Sequence, residues 1–193
     1  MKKERFLAYN DAVLAIIVTI MVLSLPQPQE ASWHAIWALH SRFFAYAVSF
    51  LEISVLWTIH HNAFHLVHHV NHTILWVNAL WLFCVTLLPY ATEFVGEHIW
   101  SPVAESFYGL VFSAFSASFL YLLWILVKHD CVKEEHKELI FDEVRISIDI
   151  MIKILGFALI PLFPPAILLS ALIDNLIWLI PDKSAKYLKK MVN

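Results

Sequence analysis

The feature that most constrains this chain is a series of apolar runs, each about as long as a bilayer is thick. Runs at about 5–25, 41–60, 73–95 and 103–127 are mostly apolar, and roughly twenty such residues suffice for an α-helix to cross a hydrocarbon core. A fifth run, 146–180, is too long for one crossing and holds Pro161, Pro164 and Pro165. Proline removes a helical hydrogen bond and clashes with the preceding turn. That run therefore splits into helices at about 144–162 and 165–181, joined by a tight turn. The expected fold is an all-α membrane protein, a single domain over 1–193 with six transmembrane helices. Pro26 and Pro28 end the first run. That run is longer than a signal-peptide core and lacks a small-x-small cleavage pattern, so it reads as a retained helix.

Composition removes the soluble alternatives. Hydrophobic residues make up 60% and charged residues 15% of the 193 positions, against about 45–50% and about 25% in an average globular domain. A soluble core of this size cannot hide that much apolar surface, and disordered chains are polar and highly charged. Eight Trp, six Tyr and fourteen Phe suit two water–lipid interfaces. Three Gly are too few for the turns of a barrel. A net charge of −3 offers no basic stripe for nucleic acid. Cys84 and Cys131 have no metal-ligand spacing and read as free thiols.

Positive charge sets the expected orientation. Lys2, Lys3, Arg5, Lys128, Lys133, Lys137, Arg145, Lys183, Lys186, Lys189 and Lys190 make 11 of the 13 Lys and Arg, and all fall on one side if the chain starts and ends inside. The three outer loops hold none, and Arg42 and Lys153 lie within helices. This is the positive-inside pattern for an N-in, C-in protein with an even number of spans. The basic C-terminal KSAKYLKK reads as an inner-leaflet anchor.

The first helix carries the most specific pattern. At 100° per residue, Tyr9, Ala12, Ile16, Ile20 and Leu23 form one narrow stripe with Thr19 at its edge. Asp11 projects well off the stripe. A carboxylate at such a position must face protein or water and find a partner.

Arg5, Tyr9, Asn10, Asp11 and Ala12 occupy the positions of R-x-x-x-[FY]-[SN]-D-A at the start of this helix. The second helix ends with Trp57, His60 and Phe64, a W-x-x-H-x-x-x-F pattern. The third carries Asn78 and then Leu88-Pro89-Tyr90. In this order, on these helices, the motifs resemble those of the transmembrane protein 175 family of potassium channels, with Tyr9-Asn10 where the family signature has Phe-Ser. The chain is similar to the prokaryotic, single-repeat form. The resemblance covers the first half well and the second half in span count.

The resemblance implies a homotetramer in the plasma membrane of a prokaryote, conducting monovalent cations, potassium above all, through a central pore lined by the first helix. It implies a hydrophobic constriction at Ile16, Ile20 and Leu23, with Thr19 as the nearby polar position. Hydrophobic necks gate by dewetting. No nucleophile–base pair or cofactor motif stands out in the sequence, so no enzyme activity, cofactor or bound metal is expected.

Other intramembrane polar groups have structural and functional readings. Arg5, Asp11, Trp57, His60 and Asn78 can meet near the inner side and brace or gate the pore helix. The His-rich stretch His60–His72 reads first as an uncharged inner loop. Proton sensing or metal binding is the alternative. With Asp11, that stretch also supports a proton- or metal-coupled secondary transporter as the second functional reading. Glu52, the i,i+4 pair Asp149 and Lys153, and Asp174 are expected to make interhelical contacts. Glu93, Glu97 and Glu105 read as a solvated outer loop or as an acidic vestibule.

Overall fold

The computed structural model describes residues 3–129, 131–133, 140 and 142–180. The expectations for Lys2, Lys137, Lys183, Lys186, Lys189, Lys190 and the basic C-terminal segment lie outside those residues. Within them the secondary structure is helical: α1 (Lys3–Leu23), α2 (Trp33–Trp37), α3 (His40–His65), α4 (His72–Thr86), α5 (Leu88–Glu97), α6 (Pro102–Lys128), α7 (Glu143–Leu159) and α8 (Ala166–Trp178). An isolated antiparallel bridge joins Val67 and Val132. Among the described residues, four stretches are long and apolar enough to cross a membrane: α1, α3, α4 together with α5, and α6. This is an integral membrane protein. The two helices after the charged stretch are shorter, at 17 and 13 residues.

Local chemistry explains most boundaries. Asn71 caps α4 through Oδ1, which accepts from Ile74 N at 2.9 Å. Ser101 precedes Pro102 and caps α6, its Oγ accepting from Ala104 N at 3.4 Å. Such side chains satisfy amide groups that a helix start leaves without partners. Two boundaries differ from those expected. The second span continues past 60 to His65, so the expected inner loop 60–72 shrinks to 66–71. The reason is packing: Ala63 and Phe64 are buried and hold the last turn in the core. The third span breaks at Leu87, because Pro89 has no N–H to offer the carbonyl four residues back.

The helices alternate in direction. At one end, Lys3 Nζ donates to Val67 O (2.8 Å) and His68 N donates to Cys131 O (2.9 Å). The start of α1, the α3–α4 turn and the exit of α6 therefore lie together. At the other end, Ser41 Oγ donates to Gly96 O (3.0 Å) and Arg42 pairs with Glu97 (2.9 Å). Arg145 at the start of α7 donates to Ile180 O just beyond α8 (2.8 Å). The core is continuous, with Phe6, Phe64, Trp81, Tyr108, Phe112, Phe115 and Ile167 among its buried side chains. Cys84 is half-buried and Cys131 is buried.

Candidate pore-lining face

Over its most apolar stretch α1 buries only 28% of its residues, against 44% or 50% in the other three spans. Its inward face is Phe6, Asn10, Leu14, Ile17 and Met21, spaced by three and four residues as one side of a helix requires. This face packs on α3, α4 and α5. Leu7, Val13 and Val18 flank this face and pack partly against the core, and the opposite side of the helix is exposed within one subunit. Tyr9 (58% exposed), Ile16 (57%), Ile20 (47%) and Leu23 (81%) stand on that bare side, as do Arg5, Ala12 and Thr19. Ile16 and Ile20 line a hollow with Tyr90 and Glu93. Thr19 Oγ1 donates to Ile16 O at 2.8 Å. Its donor is thereby used inside the helix, and the hydroxyl oxygen keeps acceptor capacity.

The polar groups expected to form one network form two. The first is buried: Asn78 Nδ2 donates to Asn10 Oδ1 at 2.7 Å, while His60 Nε2 lies 3.4 Å from Asn10 Nδ2 and 3.3 Å from Asn78 Oδ1. Aromatic rings enclose the imidazole, with Trp81 parallel at 4.8 Å and Phe64 at 4.4 Å. The second is exposed: Trp57 Nε1 donates to Asp11 Oδ1 at 2.9 Å. Arg5 lies on the exposed side, in neither group. Asn10, not Asp11, is therefore the signature residue that ties α1 to α3 and α4 inside the bundle. Its spacing from Phe6 and Leu14 already places it on the inward face. Asp11, one residue on, is turned by about 100° onto the flank facing Trp57.

The remaining candidates separate in the same way. The His-rich stretch does not converge on one point. His61 and His65 face each other on α3 (Nε2 to Nε2, 3.1 Å), His69 contacts Cys131 (3.6 Å), and His72 accepts from Trp76 (3.2 Å). Among the described residues, no group of three or more His, Cys, Asp or Glu side chains is arranged to hold a metal ion. The acidic outer trio also divides. Glu97 pairs with Arg42, whereas Glu105 is buried and its Oε2 accepts from Leu168 N at 2.9 Å, near the start of α8. Glu52, Asp149, Lys153 and Asp174 are all buried in the second half of the bundle.

Comparison with known proteins places this architecture. Residues 5–89 match the family model described as endosomal/lysosomal potassium channel TMEM175. A potassium channel from Chryseobacterium sp. (strain P1-3) is 37% identical over 185 residues, covering 95% of each chain. One from Streptomyces collinus is 33% identical over 129 residues, 63% of each chain. The endosomal/lysosomal proton channel TMEM175 of Mus musculus is 33% identical over 92 residues, 45% of this chain but 18% of that longer protein. The fold is similar to the crystal structure of a lysosomal potassium-selective channel TMEM175 homolog from Chamaesiphon minutus, with a TM-score of 0.77 and 23% identity over 92% of this chain and 96% of that one. On the near-complete match to the Chryseobacterium channel and the family model over its first three spans, the chain belongs to the TMEM175 family.

Proposed function

We propose that this chain is one subunit of a homotetrameric potassium-permeable channel in a prokaryotic plasma membrane, with α1 of each subunit lining the pore. The observation that carries the reading is the bare face of α1. An apolar helix that leaves Thr19 and the Asp11–Trp57 pair exposed on its open side is poorly suited to lipid, where polar groups are costly. It is well suited to water, an ion and neighbouring subunits. The relative matched over 95% of the chain is named a potassium channel, which supplies the permeant ion. Four copies of Ile16, Ile20 and Leu23 make a narrow apolar neck, and such necks close by expelling water. The free lone pairs of Thr19 then replace part of the hydration that a passing cation sheds.

The six-span, N-in, C-in arrangement belongs to this reading. Among the described residues, Lys3, Arg5, Lys128, Lys133 and Arg145 lie toward one end of the bundle, and Arg42 at the other end is paired with Glu97. The short α7 and α8 pack on α6 and complete the bundle.

Purified protein in a planar bilayer under unequal potassium and sodium tests the proposal. Unitary currents reversing near the potassium potential support it, and saturable flux without unitary events overturns it. Ile16→Cys, in a background of Cys84→Ser and Cys131→Ser, is expected to confer block by thiol reagents. Unblocked currents from a well-expressed variant sink the pore assignment.

A further inference from the structure

Away from α1, four ionisable side chains meet between α3, α6, α7 and α8. Glu52 (3% exposed), Asp149 (7%), Lys153 (7%) and Asp174 (3%) are all buried, and their charges do not balance. Lys153 is already committed. It is bonded to Asp149 one turn earlier on α7, and its Nζ sits 4.1 Å from the centre of the Phe112 ring of α6. Glu52 and Asp174 are left with no cation of their own within the cluster. Glu52 Oε2 and Asp174 Oδ1 are buried and have no hydrogen-bond partner. Both residues, with Asp149, line a cavity of about 60 Å³ whose walls include Leu56, Phe119 and Leu123. That space admits water.

The other polar and charged groups around the cluster are neutral, paired or bonded elsewhere in part, with Asn175 Oδ1 and Glu105 Oε1 also buried and without a hydrogen-bond partner. Asn175 and Trp178 reach Glu52 and Asp174 respectively. On α6, the Tyr108 hydroxyl is engaged with Ser49 Oγ at 3.0 Å, and Glu105 accepts from Leu168 N. On α8, Asn175 Nδ2 donates to Val48 O at 3.3 Å, and the Trp178 ring lies under Arg145 at 5.5 Å. Beside α7, Asp142 at the cavity rim pairs with Arg145 at 3.6 Å. On α3, His60 is held by Asn10 and Asn78. On α5, Thr92 donates to Ser49 Oγ at 2.7 Å. The carboxyl groups of Asp149 and Asp174 face one another, an arrangement that two ionised groups oppose and a proton between them permits.

We infer that this cavity is a proton-binding site inside each subunit, separate from the pore-lining face. Glu52 and Asp174 each take a proton from bulk water, and Asp149 stays ionised against Lys153. Each uptake forms one O–H bond on a carboxylate oxygen and needs no other reactant. With both protons bound the cluster is neutral overall, and the new hydroxyl of Asp174 donates to Asp149. The arrangement favours a proton over an alkali ion, which needs several oxygen ligands at once. No group of three such acidic side chains converges to hold a metal among the described residues. Glu52 belongs to α3 and Asp174 to α8, so loss of both protons places like charges across a helix–helix contact.

Infrared difference spectra of the full-length protein in lipid vesicles, recorded between acidic and alkaline buffer, test this. A protonated carboxyl has a C=O stretch that a carboxylate lacks. The expected result is a carboxyl band that is lost as pH rises. Glu52→Gln and Asp174→Asn each remove part of it, the double variant leaves only the component that Glu105→Gln removes, and Glu97→Gln at the exposed end leaves it intact. A band untouched by either cluster substitution overturns the inference. So does a band that follows replacement of potassium by a bulky organic cation at fixed pH, which identifies an alkali-ion site. If Glu52→Gln does not assemble, Asp174→Asn and the wild-type titration decide. A wild-type protein with no titrating carboxyl band overturns the inference by itself. The measurement reads no current, so its failure and that of the pore reading are distinguishable.

Discussion

Adjacent signature residues on α1 carry opposite duties. Asn10 points inward to a buried bond with Asn78, and Asp11 points outward to the indole of Trp57. A polar group sealed inside the bundle must find its partners there, because lipid supplies none. This makes the Asn10–His60–Asn78 group sensitive to loss of one member. Asn78→Leu strips Asn10 Oδ1 of its 2.7 Å donor and leaves a buried acceptor unsatisfied, at a cost of about 1–3 kcal/mol. The expected outcome is a lower thermal midpoint for the purified protein. Adding Asn10→Leu to the Asn78→Leu variant should cost less than it does alone, a coupling of about 0.5–3 kcal/mol between contacting residues. Additive losses would show that the two side chains act independently.

At the scale of whole helices, close approach matters more than propensity. Gly156 of α7 meets α8 so closely that a Cβ built there lies 2.7 Å from Ser170 Oγ and 3.1 Å from Ile167 Cδ1. Small residues let membrane helices pack backbone to backbone. Ser170 has little room to yield, since its hydroxyl donates to Ile167 O at 2.7 Å. Gly156→Ala should therefore destabilise the protein by about 1–3 kcal/mol through overpacking, read as a lower thermal midpoint. An unchanged or higher midpoint would mean that α7 and α8 part at little cost. The four long apolar runs, the proline break after 160 and the inward spacing on α1 were legible from pattern alone, because apolar length and periodicity are local properties. The short α2 and the break at Leu87 were not expected. The extension of α3 to His65 was not, because it depends on Phe64 meeting rings from α1 and on burial set by the other helices. The division of the polar network was half legible. Projection places Asn10 inside, but only the packed bundle reveals that Asp11 finds Trp57.

For the whole molecule, the bare side of α1 has no counterpart within one subunit. Periodicity exposes the stripe in the sequence, the fold leaves it uncovered, and in the tetramer we propose its neighbour is another copy of the chain. In that proposed tetramer, four-fold closure would bring Leu23, 81% exposed near the end of α1, close to its own symmetry mates. Leu155 on α7, 53% exposed, is not part of that stripe. These positions make a direct comparison possible in a background of Cys84→Ser and Cys131→Ser. A disulfide needs Cβ atoms about 3.5–4.5 Å apart, so only a residue at a narrow neck cross-links readily to its equivalent. Oxidation of Leu23→Cys in membranes should yield dimers on a non-reducing gel, whereas Leu155→Cys should remain monomeric. The native mass in mild detergent should be four times 22.3 kDa. Equal cross-linking at both positions would place α1 away from the axis, and a monomeric native mass would remove the axis altogether.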